Sequence, residues 1–159
     1  MKLKLFVGAL ASLLASASAP VWGVESPSRH RFNLLGENVA VAGFDPVSYF
    51  PEGGGKPERG IFKIAEEYQG VTYRFASEEH RAAFKKNPQQ YLPQYGGWCA
   101  WAVGAIGKRI DIDPESYNIR NGRLYLFYRD PQLDARDLWL KAPDALTVKA
   151  DAKWPELAN

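Results

Sequence analysis

"IFKIAEEYQGVTYRFASEEHRAAFKKNP", residues 61–88, carries the change of period that sets the fold class. Ile61 to Tyr68 and Val71 to Ala76 read as two strands rich in aromatic and β-branched residues, joined by a turn at Gln69-Gly70. Ser77 then stands where a helix N-cap belongs. Glu78 and Glu79 suit the positive first turn of that helix, Lys85 and Lys86 its last turn, and Pro88 lies just beyond. His80, Ala83, Phe84 and Asn87 share one face at three- and four-residue spacing, so His80 points inward with Phe84 while Glu79 and Lys86 face water.

Working outward, "SYNIRNGRLYLFY" (116–128) reads as a second hairpin, its Asn121-Gly122 pair the strongest short-range signal for such a turn. "WCAWAVG" (98–104) suits about two turns of helix ending at Gly104, and "IGKRIDID" (106–113) alternates like a strand. The tail, residues 130–157, predicts one or two helices with Trp139 and Trp154 as apolar anchors. Upstream, "ENVAVAGFDPVSYF" (37–50) begins with a short strand. Asp45 and Pro46 then read as an N-cap and first helical residue of a brief helix, which stops at the flexible loop "PEGGGKPERG" (51–60). Hairpins with helices between and after them predict a small single α+β domain.

The first residues, "MKLKLFVGALASLLASASAPVWG", have the form of a secretory leader: Lys2 and Lys4, an apolar run from Leu5 to Leu14, then small residues. The expected division is a leader over residues 1–19 with cleavage somewhere in 17–23, an arm over 20–31 and one domain over 32–159. A cut after Ala17 suits better than one after Ala19, which would leave Pro20 directly behind it. The apolar run is short for a bilayer, and no later stretch approaches the roughly 18 apolar residues a spanning helix needs. The exported chain is therefore expected in the periplasm or outside the cell, with no transmembrane segment. The chain's 20 basic and 18 acidic residues become equal once Lys2 and Lys4 leave with the leader. That balance gives no reason to expect a nucleic-acid partner.

Export sharpens the question of Cys99, the chain's one cysteine, set in "QYGGWCAWAVG" (94–104). Paired cysteines oxidise outside the cytosol, so an unpaired one is a buried filler, a metal ligand or a nucleophile. A soft thiolate with the imidazole of His80 suits copper(I) or zinc, and Asp45, Asp113 and Tyr95 are the available completing groups. Against this, Asp45-Pro46 and Asp113-Pro114 have ordinary uses in capping and turns. Tyr95, Trp98 and Trp101 suit the wall of a ligand pocket, and equally a packed core. Gly96 and Gly97 allow close backbone approach or a turn with positive φ. Both histidines, His30 and His80, precede Cys99, and there is no CxxC, nucleophile elbow or phosphate loop. Thiol catalysis is the weakest of the three readings.

Taken together, "GFDPVSYF" (43–50), the stretch from Glu67 to Gly97 and "NGRLYLFY" (121–128) resemble the YHS-domain family, a module related to treble-clef-like TRASH metal-binding domains. The resemblance places a YHS core at 43–92 and an extension at 93–159, as in exported stand-alone members. It implies a metal, copper being one candidate, held through cysteines. At the three positions where cysteine-bearing members carry thiols, this chain has Ser48, Ala76 and His80. The expectation is thus an exported binding module holding copper, zinc or a small ligand near His80 and Cys99. The alternative is a metal-free scaffold that meets another exported protein.

Overall fold

The computed structural model describes residues 31–36 and 38–159; the leader and most of the arm lie outside them. Two short strands, β1 (Leu34–Leu35) and β2 (Val39–Ala40), open the fold. The long hairpin follows as β3 (Ile61–Tyr68) and β4 (Val71–Phe75). Gln69 and Gly70 both have positive φ, the conformation a tight two-residue hairpin demands. The sheet order is β1-β2-β4-β3, with β2 and β4 parallel and the other neighbours antiparallel.

Helix α1 (Glu78–Lys86) starts as its sequence requires, with Ser77 Oγ accepting the His80 N–H at 3.2 Å. Its Phe84 is fully buried and anchors an aromatic cluster, with ring centroids 4.9 Å from Tyr73 and 5.2 Å from Phe75. Ring pairs at such spacing contribute about 0.5–1.5 kcal/mol each beyond burial. The short α2 (Pro88–Tyr91) brings Tyr91 into the same cluster.

A second hydrophobic cluster forms around α3 (Ala100–Ile106), the hairpin β5 (Asp113–Arg120) and β6 (Arg123–Phe127), α4 (Ala135–Trp139) and α5 (Pro143–Leu157). Trp139 is fully buried there, and Trp154 of α5 packs against the same cluster. The two clusters share strand β6: Leu124 and Leu126 enter the first, Tyr125 and Phe127 the second. The α+β class follows from these elements.

Three local expectations change. Residues 46–49 form turns, because the Asp45 carboxylate takes the Val47 N–H at 2.8 Å and the chain closes with Phe50 N–H on Val47 O. Helix α3 runs on to Ile106 and stops at Gly107, whose φ is +64°. Gly104 lies inside the helix, where a Cβ would stand 2.6 Å from Leu146 O; it lets α3 and α5 touch backbone to backbone. Residues 108–112 are no strand, since β5 pairs only with β6. Their alternation serves burial instead, with Ile110 and Ile112 set against the clusters.

Candidate functional site

The sharpest polar feature of the fold is built on Asp45, which is fully buried between the first cluster and α1. Its Oδ1 accepts the Val47 N–H at 2.8 Å, and its Oδ2 accepts the Ala76 N–H at 2.8 Å. The same Oδ2 lies 2.6 Å from Nδ1 of His80. A carboxylate only accepts, so Nδ1 carries the proton and Nε2 is left to present a lone pair or a second proton. The His80 side chain keeps 19 % of its surface exposed. Next to this contact, Ser48 Oγ donates to Asp45 O at 2.7 Å and accepts the Glu58 N–H at 3.0 Å. One carboxylate thus ties the 45–48 turn, the end of β4 and the first turn of α1 into a single knot. Ser48, Ala76 and His80, spread along the chain from residue 48 to residue 80, all meet Asp45 here.

Cys99 belongs elsewhere. It is fully buried in the second cluster, where α3 begins. Burial pushes its thiol up from the ordinary value, against the opposing pull of the Tyr128, Ala102 and Trp101 backbone. A thiol held in its protonated form is a poor nucleophile, since the thiolate is the attacking species. Asp113 is committed as well: Arg129 grips its Oδ2 at 2.8 Å and the Glu115 N–H its Oδ1 at 2.9 Å. Among the described residues no group of three or more His, Cys, Asp or Glu side chains is arranged to hold a metal ion. The expected set of His80, Cys99, Asp45 and Asp113 therefore does not assemble: it divides between the Asp45 knot, the second cluster and the Arg129 ion pair. The residues do not fit the metal that the resemblance implies.

The aromatic trio divides too. Trp98 lies half-buried under the Arg109 guanidinium, 5.9 Å from the ring centroid, and Trp101 packs against the second cluster. Tyr95 alone of the three lines a cleft, of about 380 Å³, between the 94–97 turn, the N-terminal segment and α5. Its hydroxyl donates to Asp151 Oδ1 at 2.9 Å, and burial with that carboxylate beside it raises the phenol far above its usual range. Tyr95 and Gly96 both take left-handed backbone, at φ +54° and +59°. A Cβ on Gly96 would stand 1.8 Å from the Arg31 carbonyl oxygen. The glycine pair therefore exists to seat residues 31–33, which Asn33 fastens by giving its N–H to Gly96 O at 2.9 Å and its amide to Gly97 O at 3.2 Å.

Sequence reading missed the Asp45–His80 bond and the part Asp151 plays. The first spans 35 residues and the second 56, and no local pattern marks either partner. Comparison with protein-family models, with curated proteins and with solved structures gives no match. No helix among the described residues is long and apolar enough to cross a membrane.

Proposed function

We propose that the protein is an exported, YHS-like binding scaffold that works without a bound transition metal. The observation that carries this reading is the Asp45 knot. Ser48, Ala76 and His80 stand at the thiol positions of cysteine-bearing YHS domains, and all three contact Asp45. In such domains a metal would tie these positions together; here Asp45 makes the ties with hydrogen bonds, its carboxylate meeting the Ala76 N–H and His80 and its main-chain carbonyl taking the Ser48 hydroxyl. Bonds to a charged acceptor contribute about 1.5–3 kcal/mol each, enough for a structural role of this kind. Cys99 supports the same reading, since its thiol is spent on packing in the second cluster. The scaffold then offers its surfaces and its cleft to a partner or ligand, in place of a metal.

The test is metal content. Protein purified from its own compartment without added metal or chelator is expected to carry far less than one equivalent of copper and zinc, and its unfolding temperature to be unmoved by a strong chelator. Stoichiometric metal, or a chelator-induced fall in the transition, would overturn the reading.

A further inference from the structure

We propose that the cleft beside Tyr95 binds a small zwitterion: an α-amino acid, or a short peptide, bearing an ammonium and a carboxylate on an apolar body. The inference goes beyond the scaffold reading and stands on separate residues.

Two residues of opposite charge line this one cleft, and the Arg31 guanidinium lies 5.6 Å from the ring centroid of Phe32, another of its walls. Arg31 lines it from the N-terminal segment and Asp151 from α5. Among the described residues neither forms an ion pair, with the other or with any third group. A cation and an anion that share a cleft without meeting leave room for a ligand carrying the complementary pair, its carboxylate on Arg31 and its ammonium on Asp151. Arg favours planar carboxylates, and charge-assisted bonds are the strongest of their kind.

The turn at 94–97 holds the Arg31 main chain and the Asp151 carboxylate. Gly96 sits against the Arg31 carbonyl so closely that no side chain would fit, and the Tyr95 hydroxyl holds Oδ1 of Asp151. Tyr95 does this from a left-handed backbone that a non-glycine residue adopts only at a cost of about 1–3 kcal/mol. Strain of that size persists where surrounding contacts demand one geometry.

The walls combine aromatic rings with the polar residues Gln69, Gln89 and Gln94. Phe32, Tyr73, Tyr95 and Trp154 line the cleft, and Tyr73 is 2 % exposed with no hydrogen-bond partner for its hydroxyl among the described residues. A volume of about 380 Å³ is in the range of small-ligand sites, which combine apolar walls with a few placed polar groups.

Calorimetric titration of the purified protein tests the proposal with four probes. L-phenylalanine and the dipeptide Phe-Phe carry both charges; phenethylamine keeps only the ammonium and 3-phenylpropionate only the carboxylate. At least one zwitterion is expected to bind, and each single-charge analogue to bind about tenfold weaker or worse. Whichever zwitterion binds tighter identifies a free amino acid or a peptide as the source. Arg31→Gln should weaken the zwitterion about tenfold and leave phenethylamine unchanged. Asp151→Asn, whose amide oxygen still accepts from Tyr95, should weaken it similarly and leave 3-phenylpropionate unchanged. Amide NMR spectra unchanged outside the cleft show that both variants fold. No binding of either zwitterion at millimolar concentration, equal binding of the analogues, or wild-type affinity in both variants overturns the proposal.

Discussion

Nδ1 of His80 lies 2.6 Å from Oδ2 of Asp45, a carboxylate with no exposure to solvent that also accepts two backbone N–H groups. This contact joins the first turn of α1 to the 45–48 turn. It makes the His80 imidazole part of the framework.

Truncating the two partners should have unequal effects. Asp45→Ala strands two buried N–H donors and the imidazole, and is expected to cost about 3–5 kcal/mol, the range for removing one side of a buried charged pair. His80→Ala leaves the carboxylate its two backbone donors and should cost about 1–3 kcal/mol. Urea unfolding of both and of the double variant gives the coupling energy. Simple additivity of the single effects would show that the bond contributes nothing.

Putting thiols back should bring a metal back. Ser48→Cys with Ala76→Cys, on a background that keeps His80, places two thiols around the Asp45 knot at positions that already contact it. The double variant is expected to take up about one equivalent of zinc or cobalt, with the cobalt form showing thiolate charge-transfer absorption, since tetrahedral sites favour sulfur and nitrogen ligands. A variant that folds and shows no cobalt spectrum contradicts the assigned equivalence of these positions.

Alkaline pH should destabilise the fold in part through Cys99. Burial raises its thiol, so the folded state holds the proton more tightly than the unfolded chain does. With more protons bound in the native state, stability falls as pH rises through the ordinary thiol value of about 8.5 and beyond. Below that value the contribution is fully present. Cys99→Ser removes the titrating group and should flatten the fall between about pH 8 and pH 10, before the buried tyrosines take over. A thiol reagent should react only at the rate of unfolding. Fast modification of the native protein would show an accessible thiol and reopen its chemistry.

Two glycine substitutions separate strain from collision. Gly122→Ala meets nothing within 4 Å and bears only the left-handed backbone, at φ +70°, so it should cost about 1 kcal/mol. Gly96→Ala bears the same strain and also drives a methyl into the Arg31 carbonyl. Its cost should exceed that of Gly122→Ala by at least about 1 kcal/mol. Equal losses in thermal unfolding would mean that residues 31–33 are free to leave the turn.

The sequence exposed what local chemistry decides. The hairpin β3–β4 has its predicted bounds to within one residue, because Gln69-Gly70 and the Ser77 cap act over four residues or fewer. The Asn121-Gly122 turn holds for the same reason. What stayed hidden depends on contacts distant in sequence. Asp45 looked like a helix cap because Asp-Pro usually is one; its other carboxylate oxygen was claimed by residues 76 and 80. Residues 106–113 alternate like a strand, and nothing in that alternation reveals that no strand among the described residues pairs with 108–112. His80 and Cys99 were plausible companions by residue type alone. They fold into different surroundings, one at a polar knot and the other in an apolar cluster.

Anaerobic titration with copper(I), in competition with a chromophoric chelator, measures most directly whether the Asp45 knot replaces a metal. The wild-type protein is expected to leave the chelator's copper in place, with no stoichiometric step. A one-to-one transfer of copper to the protein, abolished by His80→Ala or Cys99→Ser, would contradict the account.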